Sequence, residues 1–390
     1  MIAGVSTWLL LYVAGNLGYR LMTHLLMLGY VTRSKKTRSS LSNYPGISIL
    51  IPIKGVRTDT IDVLDATLGS LFRQEYPGEL EIVIAIRDED DPAVEQSKAL
   101  AQRIPTRARV KWAIGGVAGG LNPKNSNLFQ AFQQADHAWI YCSDADTRLE
   151  AGHLKSMIEA SEGNPSRYVT SITIHEGPRD LGACLESLGT NLEATGFFLF
   201  AFLNPRCGVL NGASNLFHRS LLEKIGGFER TLNALTDDLF MGKLFVKAGA
   251  EGRLAPRFVR VTQDRQSMQG FRERHIRWMM IAKYFRPDLF WPAPLNWAAQ
   301  WILLYAVVSG SSPHLAIGVF LLFLRMVDLL IYESLAGAPR EDWGKVWAIL
   351  IYDLLAPPLW ASAIFRKRVV WGGNVLWVRS DGMVGREETS

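Results

Sequence analysis

Trp139-Ile140-Tyr141-Cys142-Ser143-Asp144-Ala145-Asp146 runs from four apolar or aromatic residues straight into two carboxylates one residue apart. The first half reads as a buried strand, so the acids fall where a parallel strand ends, the edge at which open α/β sheets hold their ligands. In extended backbone, residues i and i+2 share a face, and Asp144 and Asp146 can therefore address one divalent cation. Hard Mg²⁺ or Mn²⁺ prefers such oxygen ligands and keeps positions for phosphates. A solvated turn also favours Asp, so the weight of the triplet comes from its neighbours.

Upstream, Ile47–Ile53 reads as a strand and is followed by a helical period at Ile61, Leu64, Leu68, Leu71 and Phe72. A second apolar run, Leu80–Ile86, ends in Arg87-Asp88-Glu89-Asp90-Asp91-Pro92, with the proline suited to the first turn of a helix. Residues 110–114 make a third short strand and residues 125–135 a helix. Strands alternating with helices predict a mostly parallel, doubly wound α/β sheet with nucleotide-type ligands at its carboxyl edge. Both acidic clusters then converge there, unless residues 88–91 are only a solvated loop.

Downstream, the pattern predicts a helix over 151–161 and a strand over 167–174. The semi-apolar run 181–203, rich in phenylalanine, is either core or a membrane-facing, acceptor-lining helix. Asn211-Gly212-Ala213-Ser214-Asn215 is a small-residue turn that lets backbone approach a ligand. Thr236-Asp237-Asp238 opens a helix, and Thr236 or Asp237 serves as its cap on local grounds. A second acid directly after a cap has less structural reason to be there, which makes Asp238 the catalytic candidate. From Arg265 to Arg286 six basic residues stand against Glu273 alone, interleaved with Met268, Phe271, Trp278 and Met280. That composition predicts an amphipathic helix on a bilayer surface, with a calmodulin-target or nucleic-acid helix as the alternative.

The whole chain agrees with a mixed character. Its 390 residues are 48% hydrophobic with mean hydropathy +0.07, too apolar for an ordinary soluble enzyme, yet 20% are charged. Cys142, Cys184 and Cys207 are odd in number and lack C-x-x-C spacing, which suits a reducing compartment better than a disulfide framework or zinc. The net charge of +5 gathers beside apolar segments, as expected beside anionic lipid; no nucleic-acid partner is expected. Residues 2–19 are uncharged and precede a basic cluster at Arg33, Lys35, Lys36 and Arg38. This predicts an uncleaved spanning or interfacial helix over 1–32, with the chain beyond it cytosolic. A catalytic domain over 44–265, an interfacial helix over 266–290, transmembrane helices within 291–365 and a cytosolic tail over 366–390 follow. Three apolar stretches, near 293–310, 315–332 and 346–365, compete as spans. If all three cross, Arg366-Lys367-Arg368 ends outside, contrary to the positive-inside rule.

Taken together, Ile51-Pro52-Ile53-Lys54-Gly55-Val56, the acids through Asp91, Leu121-Asn122-Pro123-Lys124-Asn125, Cys142-Ser143-Asp144, Thr236-Asp237-Asp238 and Arg274-His275-Ile276-Arg277-Trp278 resemble the membrane-bound family-2 glycosyltransferases of GT-A fold. Within these the resemblance is to the ceramide glucosyltransferases, and it spans nearly the whole chain. It implies a Rossmann-like GT-A catalytic domain with N-terminal and C-terminal transmembrane helices. It also implies that Lys54, Asp91, Lys124, Asp144, Arg274, Arg277 and Trp278 bind the sugar nucleotide. Asp144 and Asp146 would share Mg²⁺ or Mn²⁺, and Asp238 would be the catalytic base. One departure is Asp146, because animal ceramide glucosyltransferases lack the second acid of D-x-D.

The expected activity is inverting transfer of a hexose, glucose from UDP-glucose, to a hydroxyl of a membrane lipid, ceramide. The enzyme would be an integral membrane protein of the bacterial inner membrane or its equivalent. Other lipid acceptors (a hopanoid, diacylglycerol or polyprenyl phosphate) stay open. Outside that class stand a metal-dependent phosphohydrolase and a non-catalytic membrane scaffold.

Overall fold

The computed structural model describes residues 2–34, 41–53, 61–116, 119–263, 265–339, 345–371 and 374–386. Lys54, assigned by resemblance to the donor site, lies outside them, as do Lys35, Lys36 and Arg38. The chain folds into two compact units. One comprises residues 33–175, 201–264 and 367–390, and the other residues 1–32, 176–200 and 265–366.

The first unit is built on a seven-stranded sheet. Its centre is four parallel strands, β1 (Ile47–Ile53), β2 (Leu80–Ile86), β3 (Arg109–Ile114) and β4 (Trp139–Ser143), in the order β3-β2-β1-β4. Beyond β4 come Ser214–His218, antiparallel to it, then Arg167–Thr170 and Glu251–Leu254. Every residue of β1 is buried, which explains why the strand is written almost without polar residues. Its side chains alternate between two cores: Ile49 and Ile51 join Leu64, Leu68 and Ile84 in one, while Leu50 joins Val83, Leu128 and Phe217 in the other. Emptying either core by Leu→Ala at Leu50 or Leu68 costs about 2–5 kcal/mol. Pro52 is tolerated in this central strand because β4 pairs with β1 only as far as Leu50, leaving the proline a ladder neighbour on the β2 side.

The expected mixed α/β fold with a mostly parallel sheet is therefore observed. The single strand expected over 167–174 is instead two, Arg167–Thr170 in the main sheet and Thr173–Glu176 in a small three-stranded one. Ser171 separates them, its hydroxyl turned to the buried His153 and Ser214.

The second unit is helical. Ser312–Ala336 and Lys345–Phe365 are each long and apolar enough to cross a membrane, whereas Ala298–Ser309 is shorter. The N-terminal helix Ile2–Ser34 has 33 residues but is not among those apolar candidates; it carries Arg20, paired to Asp328 at 2.6 Å. Leu181–Leu188 runs into a π-helical turn, Gly189–Ala194, and on into Thr195–Ala201. The basic helix, Met268–Phe285, is capped by Ser267, whose hydroxyl accepts from Gly270 N at 3.0 Å. Its apolar seam of Phe271, Ile276, Met280 and Phe285 is buried, and it packs on Ile349–Phe365 and Leu181–Leu188. Protein neighbours take up this seam, while Trp278, Met279, Ile281 and Tyr284 are half-buried and Met268 is exposed.

Candidate active site

Because β1, β2 and β4 are parallel, the loops after β2 and β4 leave from one edge of the sheet. Residues 87–91 follow β2, and Asp144 and Asp146 follow β4, with β1 between, so the two acidic loops start about 10 Å apart. Asp91 acts locally, as the cap of Pro92–Arg103, where its carboxylate accepts from Ala93 N at 2.9 Å.

Around Asp144 the groups gather tightly. Lys124 Nζ lies 2.8 Å from Asp144 Oδ1, 3.2 Å from Asp237 Oδ2 and 3.0 Å from the carbonyl oxygen of Gly212. Asp238 Oδ1 accepts from Leu239 N at 2.6 Å and from the Thr236 hydroxyl. Its other oxygen faces Gly212: a Cβ built there would stand 3.2 Å from Asp238 Oδ2, 3.5 Å from Lys124 Nζ and 3.8 Å from Asp144 Oδ2. Gly212 thus forms the floor of a cradle that a larger residue would fill. Asp146 is exposed, one step along the same loop.

Electrostatics follow from this crowding. Burial pushes the Asp144 carboxyl up to about 6; Lys124 opposes the rise and the charge of Asp146 adds to it. Burial, then Asp237, raises Asp238 to about 6 as well. For Lys124 burial works against the charged form, but Asp144, Asp237 and Asp238 outweigh it and hold its pKa above the ordinary lysine value.

The scaffolding is largely asparagine. Asn122 caps Pro123–Gln133, accepting from Asn125 N at 3.2 Å and donating to Ala234 O at 3.0 Å. Asn125 donates to Thr231 O at 2.6 Å, and Asn127 to Ile53 O at 2.8 Å. These bonds tie the start of the lysine's helix to the end of β1 and to the segment leading into Thr236-Asp237-Asp238. Asn211 fixes the opposing turn, donating to Ser171 O at 2.7 Å and accepting from Ala213 N at 3.2 Å.

The first unit therefore brings Lys124, Asp144, Asp237 and Asp238 together. Asp237 stands at the helix cap position but makes no side-chain cap bond; its carboxylate goes to Lys124 instead. The asparagines went unrecognised as site-builders in the sequence, although three in six residues on one buried helix are hard to explain otherwise. In the helical unit, Arg274 Nη1 meets the buried Glu186 at 2.7 Å. Arg277, on the same helix, has its guanidinium lowered to about 10 by burial and then by Arg274, while Trp278 sits near His275 at 6.2 Å between ring centroids.

Among the described residues no three acids, histidines or cysteines surround one point closely enough to ligate an ion, since the ammonium of Lys124 stands among the acids. The donor set nonetheless fits a hard divalent cation: Asp144 is already in the cradle over Gly212, Asp146 adjoins it, and both offer carboxylate oxygen.

A mostly parallel α/β sheet with acids at its carboxyl edge is the GT-A arrangement of glycosyltransferases, as comparison with known proteins bears out. A mannosyltransferase from Pyrobaculum calidifontis, solved with GDP-Man and Mn²⁺, superposes with TM-score 0.54 at 17% identity, covering 91% of this chain and 99% of that one. Residues 8–384 match glycosyl transferase family 21, and the chain belongs to that family. Ceramide glucosyltransferase 1 of Caenorhabditis elegans is 22% identical, with 89% of this chain and 74% of that protein covered. Ceramide glucosyltransferase of Komagataella phaffii is 26% identical, with 89% and 85% covered.

Proposed function

We propose that this glycosyltransferase moves glucose from UDP-glucose to the hydroxyl of ceramide, with inversion at the sugar. The observation that carries the chemistry is Asp238: a carboxylate raised to about 6, oriented by Thr236 and Leu239 N, with one oxygen turned into the cradle shared with Asp144. A lipid hydroxyl is a weak acid, and a carboxylate within reach that is ionised near neutral pH serves as its base. One base, with the neighbouring carboxylates of Asp144 and Asp237 engaged by Lys124, suits direct displacement. The named activity of the curated relatives supports the choice of glucose and ceramide.

In this reading Asp144 and Asp146 would hold the divalent cation, with Asp91 and Lys124 beside the donor. When bound, such a cation stabilises charge developing on the diphosphate. The family resemblance gives Arg274 and Arg277 a donor-binding role too, and a guanidinium suits it by offering two parallel donors to phosphate oxygens. Trp278 gives a flat apolar face for sugar or lipid. The apolar helices bring the enzyme to an acceptor dissolved in the bilayer while the donor arrives from water.

Mass spectrometry of lipids from cells with and without the chain tests the proposal. A new hexosylceramide is the expected product, and a hexose on another lipid with ceramide untouched would overturn the acceptor. Purified enzyme is expected to stop in EDTA, and Asp144→Ala to lose on the order of 10²-fold or more in turnover.

A further inference from the structure

Asp144, Asp237 and Asp238, with Asp146 adjoining, are like charges crowded at one sheet edge, and they repel unless a cation stands among them. Lys124 is that cation, and its position is built in. The asparagines at 122, 125 and 127 pin its helix, while Asp144, Asp237 and the Gly212 carbonyl receive its ammonium. The two acid partners differ. Asp144 has a side chain 31% exposed and faces the cradle; Asp237 is 11% exposed and carries no capping duty.

We propose that Lys124 is a displaceable counter-cation: it neutralises Asp144 until a divalent ion takes that carboxylate, and Asp237 then retains the ammonium beside the arriving diphosphate. No bond is made or broken and the lysine keeps its proton. A metal ion and an ammonium cannot both press on Asp144 without repelling each other, and the flexible four-carbon stem of lysine allows the small retreat. Asp237 is on this view a positioning residue, and its presence next to Asp238 is explained by the lysine, not by the helix end. The inference rests on the metal-dependent reading above.

The test measures Mn²⁺ binding to the full chain in detergent, without donor, from the electron paramagnetic resonance of the free ion. Lys124→Met keeps the stem and removes the charge, and Mn²⁺ should bind on the order of tenfold tighter, the scale of one charge-assisted contact. Asp237→Asn should weaken Mn²⁺ binding by a similar factor in the wild-type background, because the ammonium is then left to Asp144. In the Lys124→Met background the same change should have little effect, since there is no ammonium to retain. Equal weakening in both backgrounds would mean that Asp237 acts only through its field, and would overturn the proposal. Lys124→Gln supplies the uncharged background should the methionine variant not fold. Mn²⁺ binding to wild type with no tightening in either uncharged variant defeats the counter-cation while leaving the metal reading standing. No Mn²⁺ binding to wild type, with transfer persisting in EDTA, defeats both.

Discussion

A carboxylate can take a proton only when it is ionised, so the environment of Asp238 sets the pH at which the enzyme works. Burial and the neighbouring Asp237 raise its pKa from the ordinary aspartate value to about 6, while Lys124, the Thr236 hydroxyl and Leu239 N pull the other way. A raised pKa keeps the acid protonated over the interval below 6, where an unperturbed aspartate would already be charged. The rate constant for transfer should therefore fall about tenfold per pH unit below pH 6 and level off above it. Asp238→Asn is near-isosteric and cannot accept the proton. It should lower kcat by on the order of 10²-fold to 10⁴-fold, leave donor affinity nearly unchanged and reduce the acid limb to the part that Asp144, also raised to about 6, contributes. Rapid-mix assays with UDP-glucose across pH 5–8, beside equilibrium donor binding, check both. Lost binding with normal transfer at saturation would make Asp238 a donor ligand and move the base to Asp237.

At the scale of single elements, Met268–Phe285 sets Arg274 and Arg277 three residues apart and hence on nearly one face. Glu186 fixes the first guanidinium, and burial, then Arg274, lowers the pKa of the second to about 10 against the opposing charge of Glu186. Such a pair is suited to a dianionic partner. Arg277→Lys should therefore cost on the order of tenfold or more in kcat/KM, because a single ammonium cannot reproduce a planar, two-point contact. A helix serving only as a surface anchor predicts wild-type rates for that variant in the same detergent, with folding matched by thermal melting. The sequence made this helix legible through its interleaved basic and apolar residues, and β1, β2 and β4 through buried runs that need no partner to be recognised. The break at Ser171 was hidden, because Thr173–Glu176 pairs in a separate small sheet that no local pattern announces. The π-helical turn at Gly189–Ala194 is equally silent, for widening a helix by one residue leaves its composition unchanged. Asp238 could be singled out because one acid exceeded what a cap requires. The role of Asp237 could not, since its partner Lys124 is distant in sequence and meets it through folding alone.

At the scale of the whole molecule, the C-terminal tail limits how many times the chain can cross a membrane. Residues 367–390 belong to the same compact unit as residues 201–264. Val384 N donates to Asn233 O at 2.7 Å and Leu235 N to Gly382 O at 3.0 Å, one residue before Thr236. A unit held together by such bonds lies on one side of a bilayer, so if residues 265–366 cross one they do so an even number of times. Ser312–Ala336 and Lys345–Phe365, with 25 and 21 residues, are about 37 and 31 Å long at the α-helical rise and can each cover the hydrocarbon core. Ala298–Ser309, with 12 residues, is about 18 Å long and cannot. Charges within the two long helices do not oppose this, because Asp328 is paired to Arg20 at 2.6 Å, Arg325 to Asp353 at 2.8 Å, and Glu333 accepts from the Asn191 amide at 3.3 Å. An even number of crossings returns Arg366, Lys367 and Arg368 to the side of the strand-rich unit, which removes the conflict with the positive-inside rule that three would create. Cysteines placed at Arg87 and Ser380, with Cys207→Ser in the background, should then react with an impermeant maleimide from the same face of sealed vesicles. Labelling of Ser380→Cys and Arg87→Cys from opposite faces would require an odd number of crossings and a tail detached from the strand-rich unit.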